Sequence, residues 1–222
     1  EACGGYIWFY GERHPWIDWK GGTDKPWRRA PTWNDAMPGL YDIFAAHRDP
    51  VSFAAAKSAA IDASGAATNL IVGGDCTVKV GGKAGVRTNR LPKGFDRWTH
   101  KTEKGFIGTD MSVGRNGGCS VYLDHVKRGC VIVRVNGLAP GKSVLFRLYA
   151  KGLSPRATAY YTEKKSWRFP LGNVRVKFDK PGADGWCAGY AVVTVPHGAD
   201  GFAVQLGGNG DGKIWYDDIG AY

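Results

Sequence analysis

Aromatic side chains are the residues of this chain with the clearest chemical potential. Trp16 and Trp19 lie among glycine and polar residues, outside any regular apolar pattern, and are candidates for a binding role. A flat aromatic ring can stack on the apolar face of a pyranose and loses little side-chain entropy in doing so. Trp8 and Tyr10 alternate along an apolar run, which is more typical of a buried strand.

A second group of aromatic residues lies near the middle of the second half. Tyr160 and Tyr161 are adjacent, and successive side chains of a strand point to opposite faces, so one of the two should face outward. Trp167 follows two lysines and precedes Arg168, which makes it a candidate platform flanked by cations. Trp98 follows a loop rich in glycine and charge, and we expect it in the core.

The positive charge of the chain is concentrated in its second half. Residues 1–67 contain 7 Lys/Arg and 8 Asp/Glu, whereas residues 68–222 contain 23 and 12, so the net charges are −1 and +11. Arg175 and Lys177 are two positions apart and would share one face of a strand. Guanidinium groups bind sulfate or carboxylate in a bidentate way. Solubility or an acidic glycan would each account for this charge.

The pattern of the chain predicts a short α/β segment followed by many strands. Residues 6–10 form an apolar strand pattern, and residues 13–31 an aromatic loop rich in glycine and proline. Thr32 is a plausible N-cap for a helix that continues to residue 47, and Asp49-Pro50 is a typical start for a second helix. From residue 69 onward, short period-two apolar runs alternate with Pro/Gly turns, which favours an antiparallel sandwich.

The order of these runs resembles the jelly-roll carbohydrate-binding modules of families 4, 9 and 22. Residues 129–138 lead into Pro140-Gly141, and the next run ends in Ala150-Lys151-Gly152. A Thr-Val-Pro-x-Gly-Ala-Asp run at 194–200 and a terminal Asp217-Asp218 follow. The resemblance implies a jelly-roll β-sandwich that binds polysaccharide without catalysis. The candidate sugar-binding residues in this half are Tyr160, Tyr161, Trp167, Arg168, Arg175 and Lys177.

The same resemblance implies a structural Ca²⁺ away from the sugar site. Asp218 matches the terminal position of the family, and Asp75 ends the expected first strand, residues 69–75, so these two are the candidate ligands. The family pattern has a glutamate where this chain has Thr77. Calcium takes oxygen ligands at about 2.3–2.6 Å, which carboxylates supply.

Residues 5–50 resemble the last unit of a (β/α)-barrel glycoside hydrolase. The matching features are Tyr10-Gly11-Glu12 at a strand end, a helix from Trp33 to Pro38-Gly39, and Arg48-Asp49-Pro50. Residues just beyond barrel strands face the active site, so Glu12 is the candidate catalytic residue. Glycoside hydrolysis normally needs two carboxylates, and no second one is evident. Substrate positioning or an ion pair with a nearby arginine are the alternatives for Glu12.

We therefore expect residues 1–65 to be the tail of an α/β domain and residues 66–222 to be the sandwich. The expected function is polysaccharide binding for a polysaccharide-degrading enzyme, with acidic or sulfated glycans favoured. Two alternatives remain: residues 1–30 could line the active site of a hydrolase, or the sandwich could simply support a catalytic domain. The expected partners are a polysaccharide and an associated catalytic domain, and the expected location is extracellular or cell-envelope. The chain begins without Met and is expected to be a piece of a longer protein.

Several other classes of function have no motif in this chain. The five cysteines include no C-x-x-C pair, and Cys130 and Cys187 lie in apolar strand patterns, as expected for buried thiols. No run of about 18 apolar residues could cross a bilayer. No phosphate-binding loop, dinucleotide fingerprint, nucleophile elbow or nucleic-acid-binding motif is present.

Overall fold

A computed structural model describes residues 55–56, 58–60, 68–76 and 87–222. The chain divides into two compact units, Glu1–His47 and Arg48–Tyr222, and all the described residues belong to the second. The predicted domain boundary between residues 65 and 66 stays a prediction. The predicted strand at 6–10, the aromatic loop and the helix that starts near residue 33 lie outside the described residues.

Residues 87–222 form a β-sandwich, as the sequence predicts. The strands in chain order are β1 (Arg87–Thr88), β2 (Phe95–Thr99), β3 (Phe106–Asp110), β4 (Ser120–Asp124), β5 (Gly129–Asn136), β6 (Ser143–Gly152), β7 (Arg156–Glu163), β8 (Ser166–Trp167), β9 (Asn173–Arg175), β10 (Lys177–Phe178), β11 (Trp186–Thr194), β12 (Gly201–Gly207) and β13 (Lys213–Ala221). One sheet has the order β1-β3-β4-β13-β6-β11-β10. The other has the order β2-β5-β12-β7-β8, with β9 also paired to β7.

The long strands alternate between the two sheets, which gives the jelly-roll connection pattern. β4 belongs to the seven-stranded sheet, β5 to the six-stranded sheet, and β6 to the seven-stranded sheet again. β11, β12 and β13 alternate in the same way. Every pairing among the described strands is antiparallel, so each strand can bury one face and expose the other.

The hydrophobic core lies between the two sheets because alternate residues of each strand are apolar. Val131, Val133 and Val135 of β5 are all buried on the inner face. Phe146 of β6 and Phe202 of β12 meet edge to face across the core, with ring centroids 6.5 Å apart. Burying such a side chain contributes about 1.5–3 kcal/mol to folding.

The outer face of the seven-stranded sheet carries part of the segment that precedes the sandwich. Residues 55–56 and 58–60 are helical, in agreement with the predicted second helix. Ala55 packs against Leu145 and Tyr190 on this sheet. The Arg147 Nη1 donates to the Ser58 Oγ at 2.7 Å. This segment is therefore attached to the seven-stranded sheet.

The predicted first strand, residues 69–75, is not a strand. These residues form turns, with Gly73 at φ 73°, although the Leu70 N–H still donates to the Ala221 carbonyl at 2.9 Å. Asn69 holds the segment on β13: its Oδ1 accepts from the Ala221 N–H at 3.0 Å. A Cβ on Gly74 would lie 1.8 Å from a backbone oxygen, so close backbone packing replaces regular pairing here.

Candidate functional site

The outer face of the six-stranded sheet collects polar and aromatic side chains from strands that are distant in sequence. In β7, Ala157 and Ala159 face the core, so Thr158 and Tyr160 face outward. Paired residues of neighbouring strands lie on the same face of a sheet. The pairing of β7 with β12, of β12 with β5 and of β5 with β2 therefore identifies the outward side chains of those strands as well. We call this surface the six-strand face. Its principal side chains are Asp96, Trp98, Arg134, Tyr160, Trp167, Arg175 and Gln205.

Strand register places one row straight across this face, and four of its five residues are polar. Asp96 pairs with Ile132, Ile132 with Gln205, Gln205 with Thr158, and Thr158 with Arg175. Adjacent strands are about 4.8 Å apart, so a row across five strands extends roughly 19 Å. A surface of that length can contact several sugar rings.

An aromatic cluster, formed by Tyr160, Trp167 and Phe169, stands at one end of the six-strand face. Trp167 and Phe169 are stacked with centroids 5.6 Å apart and ring planes 4° apart. Tyr160 meets both rings edge to face, at 5.9 Å and 5.6 Å. Phe169 is 58% exposed. Pro170 belongs to the 3₁₀ helix Phe169–Leu171 and restricts the backbone next to the Phe169 ring.

Trp98 lies on the edge strand β2, toward the opposite side of the face. We expected this residue in the core, but its side chain is 53% exposed. The reason is register: Trp98 pairs with Cys130, whose neighbour Val131 faces the core, so Trp98 points outward. The face thus has aromatic rings toward both sides.

Buried apolar side chains form the floor between these rings. Cys130, Ile132 and Ala203 are buried and make a cluster against which Trp167 packs. Burial raises the pKa of the Cys130 thiol to about 11, so this residue is neutral at ordinary pH. The floor is apolar and uncharged, and the polar groups stand around it.

Arg134 stands between the floor and the aromatic cluster. Its Cζ lies 5.6 Å from the Trp167 ring centroid. Its Nε is 3.4 Å from the Asp96 Oδ2, and the Asp96 side chain is 61% exposed. Its Nη1 is buried and has no hydrogen-bond partner among the described residues.

The hairpin between β7 and β8 positions Trp167. Glu163 pairs with Ser166, which leaves Lys164 and Lys165 as a two-residue turn, and both have positive φ (48° and 68°). A two-residue turn with positive φ at both positions is type I′. Both lysines are exposed beside the aromatic cluster.

The structure separates some of the predicted site residues. Tyr160, Trp167 and Arg175 come together on the six-strand face. Tyr161 packs against the core, and burial raises its pKa. Lys177 lies in β10 of the other sheet.

The prediction that Arg175 and Lys177 share a face is wrong. The chain crosses from β9 of the six-stranded sheet to β10 of the seven-stranded sheet at the buried Val176. Arg168 is exposed at the end of β8 and forms an ion pair with Glu163. Glu12, Trp16 and Trp19 lie outside the described residues.

Sequence reasoning missed four residues of the six-strand face. Asp96, Arg134 and Gln205 lie in ordinary alternating strands, where nothing local distinguishes them from solvent-facing positions. Phe169 was detectable, since it follows Trp167 by two positions and precedes a proline.

The two predicted calcium ligands, Asp75 and Asp218, border one cavity, and Asp218 contacts other side chains there. The Asp218 Oδ2 accepts from the Arg115 Nη1 at 2.8 Å and from the Asn116 Nδ2 at 3.2 Å. The Arg115 Cζ lies 3.5 Å from the Tyr149 ring centroid. Asp75 borders the same cavity of about 420 Å³ as Asp218. The Arg115 guanidinium is therefore paired with one of the two predicted ligands.

The neighbouring Asp217 is engaged by backbone donors. It is buried and accepts from the Arg115 N–H at 2.7 Å and the Asp218 N–H at 2.8 Å. Burial raises its pKa. In the part of the chain that the structure describes, no group of three or more His, Cys, Asp or Glu residues could hold a metal ion. Calcium stays a prediction.

None of the helical stretches among the described residues has the length and apolar character needed to cross a bilayer.

Comparison with known proteins finds similarity at the level of solved structures. No family model and no curated protein matches the chain. It is similar to the tailspike protein 4 enzymatically active domain of bacteriophage CBA120, with 13% identity over 57% of this chain and 18% of that one, at a TM-score of 0.41. It is also similar to the CBM22-1 and GH10 modules of Clostridium thermocellum xylanase 10B, with 12% identity over 62% and 27% of the two chains, at a TM-score of 0.45.

A third similar structure is the CBM22-1 xylan-binding domain of Paenibacillus barcinonensis Xyn10C. The identity is 9% over 56% of this chain and 83% of that domain, at a TM-score of 0.41. The chain thus spans less than a third of the first two structures. Similarities at these identities and TM-scores assign neither a family nor a ligand.

Proposed function

We propose that this chain binds polysaccharide without catalysis, on the six-strand face. The observation that carries this proposal is the aromatic cluster, with Phe169 58% exposed, at one side of a polar row that crosses five strands. Large exposed rings are costly to a soluble protein and mark binding surfaces when they are grouped with polar side chains.

The geometry supports binding by stacking and hydrogen bonding together. A sugar ring presents apolar C–H groups on its face and hydroxyls around its edge. The rings of Phe169 and Trp98 can contact the apolar faces, each worth about 0.5–1.5 kcal/mol beyond the area buried. Asp96 and Gln205, whose side chains point outward between the rings, supply acceptors and donors for hydroxyls.

The attachment of residues 55–56 and 58–60 to the opposite sheet suits a module joined to a catalytic domain. Ala55 and Ser58 contact Leu145, Tyr190 and Arg147 on the seven-stranded sheet, so these helical residues do not cover the six-strand face. A binding module that keeps a catalytic domain on its polymer raises the local substrate concentration. We include in the proposal a secreted or cell-surface polysaccharide-degrading partner. The +11 charge of residues 68–222 favours acidic or sulfated glycans.

Affinity electrophoresis against a panel of neutral, uronate-containing and sulfated polysaccharides tests the proposal. We expect retardation by at least one polymer, and about tenfold weaker binding in Phe169→Ala and Trp98→Ala. Phe106→Ala is the matched control, because Phe106 is also exposed (37%) but lies in the seven-stranded sheet. Equal losses in Phe169→Ala and Phe106→Ala, or no binding to any polymer, would reject the six-strand face as a sugar site.

The salt concentration distinguishes two contributions to affinity, stacking on the aromatic rings and attraction to the cations. The Debye screening length shortens from about 10 Å at 0.1 M to about 3 Å at 1 M ionic strength. Binding that persists at high salt assigns affinity to the aromatic rings, whereas binding that collapses assigns it to the cations.

A further inference from the structure

Arg134 is an incompletely satisfied polar side chain of the six-strand face. It projects from β5 beside the buried Ile132 and Ala203, and its side chain is 23% exposed. Its one ion pair is the 3.4 Å contact between its Nε and Asp96. That distance is longer than the 2.7–2.9 Å of a strong charge-assisted hydrogen bond.

A second nitrogen of the Arg134 guanidinium, Nη1, also lacks a strong hydrogen bond. It is buried and has no hydrogen-bond partner among the described residues. A buried donor left without a partner is unfavourable for folding. A guanidinium normally meets this need with the two oxygens of a carboxylate or sulfate, in parallel hydrogen bonds.

The β7–β8 hairpin shows a second, independent departure from what stability alone favours. A type I′ turn favours Asn-Gly, because both central residues need positive φ. Here both positions are lysine, at φ 48° and 68°. Non-glycine residues held in the left-handed region are strained, and such strain concentrates at binding sites.

The side chains beside the aromatic cluster carry a local excess of positive charge. Lys164, Lys165 and Arg175 are exposed on or beside the face. Arg168 is offset by Glu163, and Asp96 offsets Arg134 only in part. The Asp200 Oδ2 accepts from the Lys164 N–H at 2.9 Å, which places one more carboxylate at the hairpin. The positive side chains near the aromatic cluster still outnumber these carboxylates.

We infer that Arg134, together with the lysine pair at the hairpin tip, recognises an oxyanion carried by the sugar bound at the aromatic cluster. The ligand class is a polysaccharide with carboxylate or sulfate substituents. This inference rests on the proposed binding of polysaccharide to the same face. It goes further in assigning the recognition of the anion to particular residues rather than to the overall charge of the sandwich.

Pairs of polymers that share one backbone test the inference. One pair is polygalacturonate and its carboxyl-reduced form, and the other is a sulfated galactan and its desulfated form. We expect the wild-type chain to bind at least one charged member about tenfold or more tightly than its neutral partner. The pair that shows the difference identifies carboxylate or sulfate as the recognised group.

Two variants assign the effect to residues. Arg134→Met removes the guanidinium while keeping much of its aliphatic length, and we expect it to abolish most of the preference while leaving the melting temperature unchanged or higher. The double variant Lys164→Asn/Lys165→Gly provides the favoured type I′ pair, and we expect it to raise stability while weakening binding to the charged polymer. Lys177→Met is the matched control, since it removes an exposed cation from the other sheet.

The outcomes separate this inference from the proposed function. Equal binding to charged and neutral members, or a preference that Lys177→Met reduces as much as Arg134→Met, overturns the inference and leaves the proposed function in place. Failure to bind every polymer of the wider panel, neutral members included, overturns both.

Discussion

Trp167 and Phe169 stack in parallel, with ring planes 4° apart, although only Arg168 separates them in the chain. Trp167 ends β8 and Phe169 begins a 3₁₀ helix, so the backbone changes direction between them. A continuous strand would also place both side chains on one face, but it would align them along the strand. The turn instead stacks the two rings into one aromatic surface.

The first prediction concerns this stacked pair. Trp167→Ala and Phe169→Ala should each weaken polysaccharide binding about tenfold. Because the two rings support each other, the double variant should lose less affinity than the product of the two single losses. Calorimetric titration with a polymer that the wild type binds measures the three affinities. Strictly additive losses would show that the rings act independently.

The second prediction concerns Asp110 and acid stability. Asp110 is 1% exposed, and burial alone would raise its pKa. Hydrogen bonds from Ser112, the Trp215 Nε1 and Arg87 outweigh burial and hold the pKa of Asp110 below its usual value. The unfolded chain therefore binds this proton more readily. The stabilisation is present above the ordinary pKa near 4 and is lost as the pH falls through the lower folded value.

Asp110→Asn should accordingly lower the free energy of unfolding at pH 7 by about 1–3 kcal/mol and flatten its pH dependence below pH 4. Urea unfolding between pH 2 and pH 7 measures both effects. Asp211→Asn is a suitable control because Asp211 is exposed. An unchanged acid slope in Asp110→Asn would contradict the prediction.

The third prediction concerns the arginine that contacts Asp218. Arg115→Ala removes the 2.8 Å ion pair and the contact with the Tyr149 ring. Both charged side chains are partly exposed, so we expect a loss of about 1 kcal/mol in the free energy of unfolding. The wild-type melting temperature in millimolar Ca²⁺ and in EDTA tests the calcium expectation at the same place. A clear rise with Ca²⁺ would show metal binding by the linkage of ligand to stability.

The fourth prediction concerns the thiols. Cys76, Cys119, Cys130 and Cys187 are buried and form no disulfide. Burial raises the pKa of Cys130 to about 11, and burial raises the pKa of Cys187 as well, so little nucleophilic thiolate exists at pH 8. In a Cys3→Ser variant, we expect no prompt reaction with a disulfide reagent in the native state and reaction of all four thiols in urea. Prompt native labelling of Cys130 would contradict the buried floor of the six-strand face.

Features that depend on local chemistry could be predicted from the amino-acid sequence. Period-two apolar runs and Pro/Gly turns predicted a mainly β sandwich, and Asp49-Pro50 with the following alanines predicted the helix to which residues 55–56 and 58–60 belong. The rule of alternation also predicted that Tyr160 and Tyr161 face opposite ways. These predictions hold because strand pleating and turn propensities act over a few neighbouring residues.

Long-range packing, in contrast, set which side chains of each strand face the core and which distant residues come into contact. Pairing with β12 turned Tyr160 outward and Tyr161 inward, and pairing with β5 exposed Trp98. The crossing at Val176 separated Arg175 from Lys177, and a loop about a hundred residues away brought Arg115 to Asp218. These outcomes depend on packing between segments that are far apart in the chain, which short-range patterns do not encode.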